Sequence, residues 1–302
     1  MHKTLKSENK GVLPLENLNG NALTRYEELK SQIKEFKKVI VAFSGGIDSY
    51  FILKASIDAL GKENVKAVTG VSSSLKDSER AQTEKLAAKI KAKYNIIYTD
   101  ELENPNYYEN PTNRCFFCKQ ELYSKLNEVK EESGFKVIVD GTNYDDMSDY
   151  RPGYKASRNQ KIKSPLVDLK FSKNEIREIS KSLGLEIWNK PSSPCLSSRI
   201  PYGQKVTLVK LTLIEQAEEI LQDMGFNEYR VRHFEFPGNE NTNKMLKLAK
   251  IDFHEKDLHK ALNENMVKEI NSKIKELGYD FVTIDLAGLK SGSLNVMYKK
   301  KS

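Results

Sequence analysis

Short apolar runs and longer segments with helical spacing alternate through the first two-thirds of the chain. The run 39–43 is β-branched and continuous, as expected of a strand buried on both faces of a parallel sheet. Similar runs predict further strands at 65–71, 96–99 and 137–139. Apolar residues three and four positions apart predict the helices between them, at 23–36, 48–60, 78–92, 122–129 and 176–183. This alternation predicts an α/β fold with a doubly wound parallel sheet.

Prolines and a glycine interrupt the pattern between residues 187 and 203, where we expect irregular structure. The periodic pattern then restarts, and predicts helices at 208–224 and 257–277 and strands at 229–233 and 281–285. We therefore divide the chain into three parts, a polar mobile tail (1–19), the doubly wound domain (20–204) and a smaller C-terminal α+β domain (205–302).

The composition excludes several classes of protein. Of 302 residues, 38% are hydrophobic and 30% charged, enough apolar material to build a core and exclude a wholly disordered chain. No stretch approaches the ~18 consecutive apolar residues of a membrane helix, and the N-terminus lacks the apolar run of a secretory signal. We therefore expect a cytoplasmic protein without a membrane partner. The net charge of +7 is spread along the chain and does not by itself indicate nucleic-acid binding.

The most informative motif is the loop after the first strand, Ser44-Gly-Gly-Ile-Asp-Ser49. Its glycines let the backbone approach a ligand, and amide groups at the start of a helix form a nest for an anion. The hydroxyls of Ser44 and Ser49 add donors. The loop has no lysine, so it is not the phosphate loop of kinases and GTPases. Because Asp48 would repel a phosphate, we assign it to Mg²⁺. The alternative is a tight capped turn without a ligand.

This loop resembles the pyrophosphate loop (PP-loop) of the ATP pyrophosphatase superfamily. The resemblance implies that ATP is cleaved between its α and β phosphates and that a substrate oxygen is adenylated. The ATP-binding residues that we assign are Ser44, Gly45, Gly46, Ile47, Asp48, Ser49 and Gly141, the last in the turn after the fourth strand.

The three cysteines form a second candidate site. Cys115 and Cys118 make a C-x-x-C motif, and Cys195 follows 77 residues after Cys118. An odd, low number argues against a disulfide framework. Three thiolates suffice for a [4Fe–4S] cluster with one iron left open, which could bind an exogenous sulfide. Independent thiol chemistry at Cys195, a zinc site and incidental thiols remain alternatives. Neighbouring basic residues would stabilise thiolates, namely Arg114, Lys119 and Arg199.

Over about residues 23–295 the chain resembles the LarE-type ATP-dependent sulfur transferases. These enzymes insert sulfur into the nicotinate-derived precursor of the nickel-pincer cofactor of lactate racemase. The segments that carry the resemblance are 41–49, 114–119, 140–143 with 145–146, 150–153, 164–166, 190–203, 230–233 and 292–295. The resemblance implies an adenine nucleotide alpha-hydrolase-like fold.

The family also implies a mechanism. ATP adenylates a carboxylate of a nicotinate-derived mononucleotide, and sulfur then displaces AMP to give a thiocarboxylate. One branch of the family sacrifices the sulfur of the cysteine that matches Cys195. A second branch carries three cysteines and a [4Fe–4S] cluster that relays sulfide. This chain has Cys115, Cys118 and Cys195, so it matches the second branch.

Two arginines and an acidic residue complete the candidate site. Arg230 and Arg232 alternate on a predicted strand and therefore share a face, where they could clamp the substrate phosphate. The alternative is a solvated charged strand face. The family resemblance suggests an acidic metal-contacting residue near Glu218, with Glu215 and Glu219 equally compatible with the spacing.

Two competing functions remain open. A tRNA 2-thiolation enzyme also combines a pyrophosphate loop with three cluster cysteines, but should carry a stronger basic surface or an RNA-binding module. A non-enzymatic ATP sensor or metal-binding module would not need Asp48 and the cysteines together. We expect no nucleic-acid partner. The family resemblance implies a homo-oligomer formed through the C-terminal domain, with a hexamer as one option, and an undetermined sulfide or sulfur donor.

Overall fold

The computed structural model describes residues 20–147, 152–239, 244–290 and 292–294. The predicted tail at 1–19 lies outside the described residues, as do positions 150–151 and 295 of two quoted motifs. In the described ranges, no helix combines the length and apolar character needed to cross a membrane.

The helices and strands follow the predicted alternation closely. The helices are α1 (Gly20–Lys34), α2 (Ile47–Leu60), α3 (Asp77–Lys89), α4 (Pro105–Tyr108), α5 (Arg114–Ser133), α6 (Pro152–Asn159), α7 (Pro165–Asp168), α8 (Lys173–Ser182), α9 (Leu208–Asp223), α10 (Glu255–Ala261) and α11 (Glu264–Glu276). The strands are β1 (Val39–Ala42), β2 (Val65–Val71), β3 (Lys93–Tyr98), β4 (Val137–Val139), β5 (Tyr229–Pro237), β6 (Met245–Phe253) and β7 (Phe281–Ile284).

The first sheet has the strand order β3-β2-β1-β4, and β1 pairs in parallel with both β2 and β4. Its central strand is apolar throughout, and Val39, Ile40 and Val41 are fully buried, because helices cover a parallel sheet on both faces. The core continues into α2, where Phe51 packs against Tyr26 of α1 and Phe171. The predicted parallel α/β sheet is confirmed.

The second sheet is smaller and has the order β5-β6-β7, with β5 antiparallel and β7 parallel to β6. Strand β6 was not predicted, although Leu246, Lys247 and Leu248 begin an alternation that indicates a strand. The single helix predicted at 257–277 is two helices. The Asn263 side chain caps α11 by accepting a hydrogen bond from the amide of Asn265 at 3.1 Å, which starts a new helix there.

The chain forms two compact units that are interleaved in sequence. One consists of Met1–Gly70, Glu79–Ile97 and Leu122–Ser193, and the other of Val71–Ser78, Tyr98–Glu121 and Pro194–Ser302. The first sheet lies almost entirely in the first unit, whereas the second sheet and all three cysteines lie in the second unit. The division at residue 204 follows sequence order and stays a prediction.

Candidate functional site

The loop between β1 and α2 is held by its own small residues. The hydroxyls of Ser44 and Ser49 share a hydrogen bond at 3.2 Å, and Ser49 Oγ donates to the carbonyl of Gly46 at 3.0 Å. Gly46 is the N-cap residue of α2, and no side chain caps the helix. The first amides of α2 are therefore left for a ligand, which is the arrangement of an anion site.

Two glycines make this loop possible. Gly45 has φ of +73°, a conformation that side chains rarely adopt, and a Cβ there would lie 2.7 Å from Thr83 Cγ2. Gly141, after β4, lies directly against the start of α2, because a Cβ on it would come within 2.6 Å of the Ser49 amide nitrogen. Gly141 thus lies beside the loop with which the sequence analysis grouped it.

Asp48 lies in the first turn of α2 and is paired with a lysine from a distant part of the sequence. Lys173 Nζ lies 2.6 Å from Asp48 Oδ2. Asp48 Oδ1 is buried and makes no hydrogen bond to any described residue. Burial raises the pKa of the Asp48 carboxyl, Lys173 opposes this rise, and the negative charge of Asp146 adds to it.

The three cysteines lie within the second unit, and none of them forms a disulfide with another described residue. Cys115 and Cys118 lie in the first turns of α5, whereas Cys195 directly precedes a short 3-10 helix over Leu196–Arg199. Cys115 and Cys195 are exposed, and Cys118 is half-buried against a small core that includes Leu196. The fold therefore brings the C-x-x-C helix and the Cys195 segment together across the sequence gap.

The surroundings of Cys118 favour the protonated thiol. Its Sγ lies 3.8 Å from Oε1 of the buried Glu101. Burial raises the pKa of the Cys118 thiol well above its usual range, and the negative charges of Glu101, Cys195 and Cys115 raise it further. Glu101 Oε2 is buried without a hydrogen bond to a described residue. The sequence analysis did not identify Glu101, because the residues around it form no motif that indicates a contact with a cysteine.

The Cys195 segment is held through its backbone by three buried arginines that come from different elements. Each guanidinium donates to main-chain carbonyls of residues 194–198. Arg199 donates to the carbonyls of Pro194 and of Cys195, the latter at 3.2 Å. Arg114 donates to the carbonyl of Ser197 at 2.9 Å, and Arg232 to that of Ser198 at 2.9 Å. These arginines thus fix the position of the Cys195 backbone, a role that the sequence analysis did not assign to Arg114 and Arg199.

Glu218 of α9 anchors one of these arginines. Its two carboxylate oxygens accept from Arg199 Nε at 2.9 Å and Nη2 at 3.2 Å, and Oε1 also accepts from the Val231 amide at 3.0 Å. Lys76 forms a further ion pair. Burial would raise the pKa of the Glu218 carboxyl, but Arg199 and Lys76 outweigh it and hold the pKa below its usual range. The metal-contacting role of Glu218 stays a prediction.

Arg230 and Arg232 sit on the same strand, β5, in very different surroundings. Arg232 is buried and donates from Nε to Asp252 at 2.9 Å and from Nη2 to Ser293 at 3.1 Å, besides its bond to the Cys195 segment. Arg230 is half-buried and has no hydrogen bond or ion pair to any described residue. Burial lowers the pKa of Arg230 to about 10, and the positive charges of Arg232 and Arg199 contribute. Arg230 is therefore the guanidinium left for an anionic ligand.

Comparison with known proteins extends over nearly the whole chain. An uncharacterized protein of Synechocystis sp. is 38% identical over 277 residues, which cover 92% of this chain and 99% of that protein. The pyridinium-3,5-bisthiocarboxylic acid mononucleotide synthase of Lactiplantibacillus plantarum is 34% identical over 272 residues, or 90% of this chain and 94% of that enzyme. The chain belongs to the LarE-type sulfur transferase family.

A second similarity covers about a third of this LarE-type chain. The NAD synthase family matches residues 22–110, which include the loop at 44–49. The glutamine-dependent NAD(+) synthetase of Aquifex aeolicus is 30% identical over 96 residues, covering 30% of this chain and 17% of that enzyme. The match to the NAD synthase family agrees with a shared ATP-using PP-loop. The match to the mononucleotide synthase covers 90% of the chain and therefore also includes the cysteine and arginine segments.

The residues of this LarE-type chain fit Mg²⁺ better than they fit a [4Fe–4S] cluster. Mg²⁺ is commonly bound by one or two carboxylates together with substrate phosphates, and the unbonded Asp48 Oδ1 suits that role. Across the described ranges, no group of three or more His, Cys, Asp or Glu side chains is arranged to hold a metal ion. The cysteines have the ligand type and number for a [4Fe–4S] cluster, but their side chains are not assembled as a metal site.

Proposed function

We propose that this chain is an ATP-dependent sulfur transferase that converts a carboxylate of a nicotinate-derived mononucleotide into a thiocarboxylate. The observation that carries the proposal is the 34% identity to the mononucleotide synthase over 90% of the chain, which spans both candidate sites. The uncapped start of α2 and the free Arg230 support it, because the reaction needs a place for pyrophosphate and a place for the phosphate of the mononucleotide.

In the first half-reaction, a substrate carboxylate oxygen attacks the α-phosphorus of ATP and pyrophosphate leaves. A carboxylate is otherwise a poor electrophile, because its leaving group would be oxide. The amides of α2 and the hydroxyls of Ser44 and Ser49 would bind the departing pyrophosphate. Mg²⁺, held by Asp48, would supply charge stabilisation.

In the second half-reaction, a sulfur nucleophile attacks the acyl carbon and AMP leaves with the former carboxylate oxygen. We propose that Cys115, Cys118 and Cys195 would hold a [4Fe–4S] cluster, which would present an exogenous sulfide as this nucleophile. A cluster bound by three thiolates would leave one iron open to an exogenous sulfide. The alternative is sacrifice of the Cys195 sulfur, which would leave dehydroalanine at that position.

For substrate binding we propose that Arg230 contacts the mononucleotide phosphate, while Arg232 positions the strand and the Cys195 segment. The bonds of Arg232 to Asp252 and Ser198 support the second role. We also propose that the chain forms a homo-oligomer through residues 205–302. We further propose that the protein is cytoplasmic, where thiols stay reduced.

The direct test combines the chain with ATP, Mg²⁺, a sulfide source and one of two acceptors, the carboxylated pyridine mononucleotide or tRNA. We expect AMP and pyrophosphate only with the mononucleotide, and a product in which mass spectrometry finds sulfur in place of one oxygen. Turnover with tRNA alone would contradict the proposed substrate class.

The source of the sulfur is tested by anaerobic purification followed by iron and sulfide analysis. We expect cluster absorbance in the wild type, its loss in each single Cys→Ala variant, and activity that depends on added sulfide. A spent protein lighter by one H₂S, with Cys115→Ala still active for one turnover, would contradict the cluster and leave the sulfur transferase assignment intact.

A further inference from the structure

A cleft with a positively charged lining lies at the amino end of β4, within the first compact unit. Its volume of about 670 Å³ is in the range of sites that bind small molecules. The C-terminal ends of α5 and α6, the start of β4 and the segment 161–163 form its walls. The loop at 44–49 lies beside Gly141, which follows the opposite, carboxyl end of β4. The cleft is therefore separate from the proposed ATP site.

The cleft collects positive charge from four segments of the chain. Its lining contains five cationic side chains, those of Lys130, Lys136, Arg158, Lys161 and Lys163. None of the described residues that line it is acidic. Lys130 pairs at 3.4 Å with Glu131, which is outside the lining. The other four cations are exposed and their side chains make no hydrogen bond or ion pair with a described residue. Most of this charge is thus left uncompensated by the surrounding protein.

Hydrogen bonds hold the walls of the cleft in place. Asn127 of α5 donates from Nδ2 to Gln160 Oε1 at 3.2 Å, which ties α5 to the segment after α6. Lys130 Nζ donates to Asn127 Oδ1 at 2.8 Å. On the other wall, the amide of Lys163 donates to the carbonyl of Ile138 in β4 at 2.9 Å. The cleft is therefore preformed, and a ligand that enters it does not have to order the chain first.

Two structural roles explain some of these cations but not their arrangement. Cations are favoured at helix C-termini, and Lys130 and Arg158 lie in the last turns of α5 and α6. Lysines also protect exposed edge strands from pairing with other chains, and β4 is an edge strand. Neither role requires the cations to surround one concavity, where their mutual repulsion is unfavourable unless an anion is bound.

We propose that this cleft is a second anion site, which binds a compound with two or more phosphate groups. Four of the five cations are lysines, which bind phosphate as point charges. No aromatic ring is among the described residues of the lining, so a nucleobase would find nothing to stack on. An inorganic polyphosphate or a sugar bisphosphate therefore fits better than a nucleotide or a single-stranded nucleic acid. This site does not depend on the reaction assigned to the loop and the cysteines.

The test is titration calorimetry with inorganic tripolyphosphate in EDTA, on the wild type and on the double variant Lys161→Gln with Lys163→Gln. Both lysines are exposed, so we expect the variant to fold. It should lose one binding site, or bind there at least tenfold more weakly, the value of one charged hydrogen bond. Tripolyphosphate that binds to the loop at 44–49 would appear equally in both proteins.

The matched control is Lys85→Gln with Lys91→Gln, which removes the same charge. Lys85 lies on α3 and Lys91 just before β3, at the other edge of the sheet, and both are exposed. This control should bind tripolyphosphate like the wild type. An equal loss in the control would show an effect of net charge alone and would overturn the site. Unchanged binding by the Lys161 and Lys163 variant, or no binding by the wild type, would overturn it too.

Lysine acetylation followed by mass spectrometry locates the bound anion. We expect tripolyphosphate to slow acetylation of Lys136, Lys161 and Lys163 but not of Lys85 or Lys91, whereas uniform rates would contradict the site. A parallel titration with fructose bisphosphate distinguishes the two sources of phosphate. Tighter binding of the sugar bisphosphate would assign the cleft to phosphorylated sugars, and tighter binding of tripolyphosphate would assign it to inorganic polyphosphate.

Discussion

The two loops proposed to carry the reaction are stabilised in opposite ways. The loop at 44–49 is organised locally, by Gly45, Gly46 and a pair of serine hydroxyls that all lie within six residues of one another. The Cys195 segment is organised largely from a distance, by Arg114 and Arg232, which donate to its carbonyls, and by Glu218, which holds the neighbouring Arg199. The loop at 44–49 makes its hydrogen bonds within itself, whereas the cysteine segment depends on buried side chains that are remote from it in sequence.

This difference has a chemical reason. Pyrophosphate can be bound by backbone amides, which any sequence provides once glycines let the chain turn closely enough. A reactive thiol must be held at a defined position while it stays accessible, and Cys195 is exposed although the backbone around it is fixed. The arginines provide this rigidity without covering the sulfur.

The largest effect is expected from Asp48→Ala in the local loop. We expect pyrophosphate release to be abolished with the fold intact, because the several kcal/mol that a catalytic metal supplies would be lost. Pyrophosphate release and circular dichroism measure the two quantities. Wild-type turnover by this variant would exclude Asp48 as the metal residue.

The next largest effect is expected from Arg232→Ala, which removes one of the arginines that donate to the Cys195 segment. This change leaves the fully buried Asp252 without its guanidinium partner, although Lys250 still contacts it at 2.7 Å. A buried charge left without any partner costs about 3–5 kcal/mol, and the remaining contact with Lys250 should keep the loss below that range. We expect a lower midpoint of thermal or urea unfolding, and an unchanged midpoint would show that Arg232 does not hold the segment.

A smaller effect is expected from Arg230→Ala, the matched change on the same strand. Because Arg230 has no partner among the described residues, its loss should leave the unfolding midpoint close to that of the wild type. We expect a KM for the mononucleotide that rises about tenfold or more, since a charged hydrogen bond contributes roughly 1.5–3 kcal/mol, and a nearly unchanged KM for ATP. If both arginine variants lose only stability, the phosphate is bound elsewhere.

The same contrast explains which features could be predicted from the sequence. The loop at 44–49 and the parallel strands were predictable, because glycines, serines and apolar runs are local signals. The pairs Lys173–Asp48, Arg232–Asp252 and Arg199–Glu218 were not, because nothing in a charged residue's neighbourhood indicates its distant partner. Arg230 and Arg232 were predicted to act together, and only their surroundings distinguish the free guanidinium from the buried one.

The central claim is that the loop at 44–49 activates the carboxylate and the Cys195 segment supplies the sulfur. The most direct test is ATP–pyrophosphate exchange by Cys195→Ala, measured with and without the carboxylated pyridine mononucleotide. We expect mononucleotide-dependent exchange at a rate near that of the wild type, with no thiocarboxylate formed even when sulfide is added. Loss of exchange in this variant while its fold is intact, or formation of thiocarboxylate without Cys195, would contradict the account.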